Sequence, residues 1–233
     1  QHIVFTSANT TPSAGNWGGI YFGSASTGSI LDYCEVRYAG RSVWYGGASR
    51  NAGVVVYGSS PTITSCTFAD NVGRAIAVYA GGSPTISGNT ASNSGSYFVS
   101  ADLSSVPNLN LGTNSATGGT SNAVEVWGGT ISADATWANY GVPYVLAGDV
   151  TVSTGFTWTL PSGVALSTFN VTVDTGATLT LEPGVVLKVA EGRVLYVNGR
   201  LLADGTSNQH IVFTSANTTP SAGNWGGIYF GSA

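Results

Sequence analysis

The stretch GVVVYGSSPTITSCTFADNVGRAIAVYAGGSPTISGNTASN, residues 53–93, decides the fold. It states one pattern twice. GVVVYG (53–58) and AIAVYA (75–80) are short runs in which apolar residues alternate. SSPTITSCTFADN (59–71) and GSPTISGNTASN (82–93) follow them. Pro61 and Pro84 hold the same place in the two units. Asn71-Val72-Gly73-Arg74 and Asn93-Ser94-Gly95-Ser96 close the two units alike. Nothing here has a 3.6-residue period, so these are strands parted by Gly, Asn and Ser turns.

The same texture runs outward in both directions. GIYFG (19–23) precedes the pair, and NAVEVWGG, NVTVDTGATLTLEPGVVLKV, GRVLYVNGRLLADG and QHIVFTS follow it. A period of about 22 residues without helices predicts a parallel β-solenoid. One coil cannot bury its inward side chains, but stacked coils place like above like at about 4.8 Å. Roughly nine to ten coils are expected, a rod of roughly 45 Å at that spacing. VSADLSSVPNLNLGTNSATGGTSN (99–122) is the least regular stretch and is expected as a coil with a protruding loop, and GRSVWYGGASRNAG (40–53) as a second, shorter inserted loop. The predicted inward ladder is Ile20, Phe22, Leu31, Cys34, Val36, Val54, Val56, Ile63, Cys66, Phe68, Ile76, Val78 and Ile86.

A longer period encloses the short one. QHIVFTSANTTPSAGNWGGIYFGSA occupies residues 1–25 and again, letter for letter, residues 209–233. The offset is 209 − 1 = 208 residues. The expected organisation is one full repeat, 1–208, and the start of the next at 209–233, continuing one solenoid. The chain opens at Gln1 in mid-pattern, as expected of a piece cut from a tandem array.

Composition narrows the function classes. Of 233 residues, 42% are hydrophobic and only 8% charged, far below the usual quarter. Seven Lys and Arg against a net charge of −4 argue against nucleic acid. No run of 18 apolar residues occurs, so membrane insertion is not expected. Low Lys with abundant Ser, Thr, Asn and Gly suits an extracellular or cell-surface location.

NWGGIYFGSASTGSILDYCEVRYAG, GSSPTITSCTFADN and LTLEPGVVLKVAEGRVLYVNGRLLADGTSNQHIVFTS resemble right-handed parallel β-helix repeats of large bacterial and archaeal surface proteins, with the pectate-lyase-like fold. The resemblance covers nearly the whole chain and is poorest at 99–122. It implies an all-β, right-handed parallel β-helix, the hand that parallel crossovers also favour. It does not select a function, since the fold carries lyases, hydrolases, adhesins and spacers.

Each candidate site has a plain reading beside the functional one. Cys34 and Cys66 fall at matching positions of successive coils, with Asn89 in the third. They are either a disulfide or two buried thiols in a ladder. His2 and His210 are one repeat position, read as strand-end residues rather than members of a hydrolytic triad. Asp32, Glu35, Asp70 and Arg74 are the candidates for a polysaccharide lyase or hydrolase, or else a solvated ion-pair network. Arg37, Arg41, Trp44, Tyr45 and Arg50 form the candidate binding patch, because exposed aromatics beside Arg can stack on sugar rings. Lys188, the only lysine, reads as an outward strand residue. Asn9, Asn170 and Asn217 lie in N-x-T sequons. No metal site and no cofactor are expected. The leading expectation is a non-catalytic repeat of a long surface fibre, its partners the neighbouring repeats head to tail. The alternatives are a polysaccharide- or surface-binding module acting by avidity and, behind it, a polysaccharide-active enzyme.

Overall fold

The computed structural model describes residues 3–45 and 48–231. The chain is an all-β parallel solenoid of about seven turns with essentially no helix. It divides into two compact units, Gln1–Val124 and Glu125–Ala233.

The first unit winds over three faces. The first holds Ile3–Phe5, Cys34–Arg37, Thr67–Ala69, Thr90–Ser92 and Ser115–Thr117. The second holds Ile20–Phe22, Ala52–Tyr57, Arg74–Tyr79 and Tyr97–Ala101. The third holds Ile30–Asp32, Thr62–Thr64, Thr85–Ser87 and Asn110–Leu111. Neighbours pair in parallel and like meets like: Ile63 lies opposite Ile86, Val54 opposite Ile76, Val36 opposite Phe68. Inward residues therefore stack into continuous apolar columns, and no turn needs a core of its own.

Each corner has a chemical cause. Tyr33 (φ 52°), Ser65 (φ 52°) and Gly88 (φ 69°) take left-handed backbone immediately before Cys34, Cys66 and Asn89. Tyr38 (φ 58°), Asp70 (φ 55°) and Asn93 (φ 50°) do so before Ala39, Asn71 and Ser94. The reversal frees backbone groups from the strand ladders, and such groups need partners when buried. Buried amides supply them. Asn89 Oδ1 accepts from Cys66 N at 2.8 Å, and its Nδ2 donates to Ile63 O at 2.9 Å and to Asn114 Oδ1 at 3.0 Å. Asn71 likewise accepts from Ala39 N at 2.8 Å and donates to Val36 O at 3.0 Å.

The second unit repeats the plan. One face stacks Val150–Val152, Val171–Val173 and Val194–Val197, another Thr157–Leu160, Thr178–Leu181 and Arg200–Ala203, and a third Ala165–Thr168, Val186–Val189 and Val212–Ser215. Trp137 and Trp158 are fully buried, with ring centroids 4.8 Å apart, and Tyr144 packs on Trp137 at 4.9 Å. Burial raises the Tyr144 phenol above its usual range, and its hydroxyl donates to Ala138 O at 2.7 Å.

Two expectations need adjustment. The turns number about seven rather than nine to ten, because turns differ in length. The turn from Ile20 to its partner Val54 takes half as much chain again as the turn from Val54 to its partner Ile76. Ile20 and Phe22 are half-buried, because they lie on the outermost strand of their sheet. Leu31, Cys34, Val36, Val54, Val56, Ile63, Cys66, Phe68, Ile76, Val78 and Ile86 are buried. As expected of a coil with a protruding loop, the stretch 99–122 keeps its rungs, Thr85 pairing with Asn110 and Thr90 with Ser115, while residues 102–109 leave the ladder. Asp102 ties that part down, its carboxylate accepting from Ala80 N, Ser104 Oγ and Ser105 N at 2.8–2.9 Å.

Candidate functional site

Two of the candidate residues, Glu35 and Arg37, lie on the strand Cys34–Arg37. Glu35 and Arg37 alternate outward from buried Cys34 and Val36. The Arg37 Nε meets Glu35 Oε1 at 2.5 Å, and the guanidinium lies 5.9 Å from the Tyr38 ring centre. Left-handed backbone at Tyr38 turns that ring out beside Arg37. Tyr38 has no feature in the sequence that marks it, since only the corner geometry brings it to the patch. Arg41 is exposed, and its backbone N–H donates to Trp17 O at 3.0 Å.

The segment expected as the loop 40–53 contains a hairpin, with Val43–Tyr45 pairing antiparallel to Ala48–Arg50. The backbone of these strands brings Trp44 opposite Ser49 and Val43 opposite Arg50. The side chains of Trp44, Tyr45 and Arg50 lie outside the described residues.

The carboxylates considered for catalysis are dispersed. Asp32 is on the third face, where its Oδ1 accepts from Thr64 Oγ1 at 2.8 Å. Glu35 is on the first face, across the Tyr33 corner. Asp70 sits at the next corner, accepting from Asn93 Nδ2 at 3.2 Å, and Arg74 is on the second face, donating from Nε to Ser100 Oγ at 3.1 Å. These four do not line one cleft.

Cys34 and Cys66 are free, buried thiols rather than a disulfide. The Cys66 thiol donates to Thr64 O at 3.1 Å. Burial pushes it up to about 11, so it is protonated at neutral pH and a poor nucleophile. His210 and Lys188 are exposed, and His2 lies outside the described residues.

The second unit carries a surface feature the sequence did not single out. Tyr196 and Tyr229, 43% and 57% exposed, stand with ring centres 5.9 Å apart on adjacent turns. They are far apart along the chain, which hides the pairing until the register is known.

With parallel three-faced coils established, comparison with known families gives a direct result. Residues 5–133 match the model described as a right-handed β-helix region. The chain belongs to the right-handed β-helix family. Residues 129–233 match a second model of this kind, described as a pectate-lyase-like β-helix domain. No curated protein and no solved structure matches the chain. The β-helix assignment fixes the architecture and leaves the activity to be argued from the residues.

Proposed function

We propose that this β-helix is a structural repeat of a long, secreted or surface-attached fibrous protein, with its outer residues serving as a spacer rather than a catalytic site. The observation that carries the reading is the identity of residues 1–25 with 209–233. Both copies have the same local form. Gly15 and Gly223 have φ 81° and 85°, and Gly19 and Gly227 both have φ 99°. Ser13 N and Ser221 N each donate to the Asn side chain three residues on. A segment that keeps its local conformation in both copies suits an array of such repeats. The low charge and the Ser, Thr and Asn surface suit an extracellular setting.

Repeat arrays of this kind gain stability from interfaces between neighbours. One, two and three 208-residue repeats should therefore unfold in urea at rising midpoints. Identical midpoints for all three lengths overturn the reading.

A second reading rests on the Glu35–Arg37–Tyr38 cluster. An arginine held next to an aromatic ring on an open face can stack on a sugar, and repetition multiplies weak contacts. Retardation in gels containing a polysaccharide, lost in Arg37→Ala, supports it. Equal mobility of both proteins removes it.

A further inference from the structure

Cys34 and Cys66 stand in one column of the first unit. Asp32 lies opposite Thr64 on one side of them and Glu35 opposite Thr67 on the other, so Cys34 falls opposite Cys66 of the next turn. The column continues through Asn89 and Asn114. In-register neighbours on adjacent parallel strands stand about 4.8 Å apart, inside the usual range of Cα separations for a disulfide. Both thiols turn the same way. Cys34 Sγ donates to Asp32 O at 3.3 Å, and Cys66 Sγ to Thr64 O at 3.1 Å and to Leu31 O of the turn before at 3.4 Å.

Further along this column, the side chain of each turn stitches it to the turn before. Asn114 Oδ1 accepts from Asn89 N at 3.1 Å, and Asn89 Oδ1 accepts from Cys66 N at 2.8 Å. Cys66 holds that place one turn earlier, where the backbone N–H and the thiol of Cys34 both act on its sulfur. Sulfur is a weak acceptor, so this step of the column is held less firmly than the amide steps. It is also the step that spans the most chain. Cys34 and Cys66 are 66 − 34 = 32 residues apart, with the hairpin of Val43–Tyr45 and Ala48–Arg50 between them, whereas Cys66 and Asn89 are 23 apart. A crosslink removes more entropy from the unfolded chain the longer the loop it closes.

We propose that Cys34 and Cys66 are an oxidation site, closing to a disulfide that staples the hairpin-bearing turn when the chain folds in the presence of a small-molecule disulfide. The structure holds the dithiol form. The thiolate of one cysteine attacks a sulfur of the small disulfide, giving a mixed disulfide and releasing one small thiolate, which takes up a proton. The thiolate of the other cysteine then attacks the cysteine sulfur of the mixed disulfide. The Cys34–Cys66 bond forms, and the second small thiolate leaves and is protonated in turn. Two protons and two electrons pass from the protein, and one small disulfide becomes two small thiols. Cys34 and Cys66 are 5% and 1% exposed in the fold. The exchange therefore belongs to the folding chain, before the turns close over the thiols, and the finished bond is shielded from reductants by the same burial. The bond needs no surface ligand and no neighbouring repeat, so it stands apart from both readings of the function.

The test is refolding of the full 233-residue protein from urea with oxidised glutathione or with reduced glutathione. Thiol titration, intact mass and peptide mapping are read on the single-chain fraction after acid quenching. With oxidised glutathione, the free thiols should fall from two to none, the mass should drop by two hydrogens, and one link should join Cys34 to Cys66. The linked protein should keep the circular dichroism spectrum of the dithiol form and unfold at a higher urea midpoint. Cys34→Ala and Cys66→Ala should each have one midpoint in both buffers. Single chains that keep both thiols, or carry glutathione on each, overturn the proposal, as do links formed only between chains. A linked protein with a lost spectrum or a lower midpoint overturns it too. So does a midpoint of Cys34→Ala that still rises with the oxidant.

Discussion

Trp17 donates its indole N–H to the carbonyl oxygen of Arg37 at 2.7 Å, and so fastens the first 25-residue segment to the turn above it. Trp225, the same residue one repeat later, lines an open pocket. The pair separates what a residue is from where it stands. Trp17→Phe removes a hydrogen bond and should lower stability by about 1 kcal/mol. Trp225→Phe removes no such bond and should change it by less than about 0.5 kcal/mol. Urea unfolding of dilute protein checks both, and equal effects contradict the distinction.

The corner amides carry more than one turn each. Asn89 satisfies a backbone N–H of its own corner column and a carbonyl of the preceding turn, and bonds Asn114 in the next. Asn89→Ala leaves those buried groups without a partner, so a loss of about 3 kcal/mol is expected. Urea denaturation is the measurement. A loss under about 0.5 kcal/mol shows that the ladder is not structural.

The inward columns do not tolerate charge. Val56 and Ile76 are fully buried. Val56→Asp or Ile76→Asp places an unpaired carboxylate in the core, and either should abolish cooperative folding. Circular dichroism on heating reads this out. Similarly, Trp158→Ala should cost about 3–5 kcal/mol, since it removes a fully buried ring packed at a tilt against Trp137.

Cys66 gives a pH signature. Burial raises its thiol from an ordinary 9.0 to about 11 in the fold. The unfolded chain loses the proton first as pH rises, so the folded state is penalised with increasing pH. The contribution is fully present below about pH 9 and is lost as pH rises toward about 11. Cys66→Ala should flatten that part of the stability curve, and an unchanged curve contradicts the assignment. In the native protein at pH 8, alkylation of Cys66 should await unfolding.

The sequence and the structure agree where the physics is local. The matched places of Pro61 and Pro84 expose the coil length, and the alternation around Val54, Val56, Ile76 and Val78 gives the inward face. The corners were harder to read. Tyr33 and Ser65 adopt left-handed backbone that their own side chains do not favour, and the stacked turns hold them there. The hairpin at Val43–Arg50 had a local sign, the Gly46-Gly47 pair between short runs, which is a two-residue turn signal. For the binding patch, the sequence placed Glu35 and Arg37 side by side, but Tyr38 joins them only through the corner. The Tyr196–Tyr229 pair depends on cross-turn register, which a linear reading does not supply.

A repeating structural element adds length in equal steps, and electron microscopy of proteins carrying one, two and three 208-residue repeats reads this as contour length. Unbranched rods that lengthen by a constant step of roughly 30 Å per repeat are expected, about six turns, the 208-residue share of about seven, at the ~4.8 Å strand spacing. Repeats that appear as separate beads on flexible joints, with no constant step, contradict it.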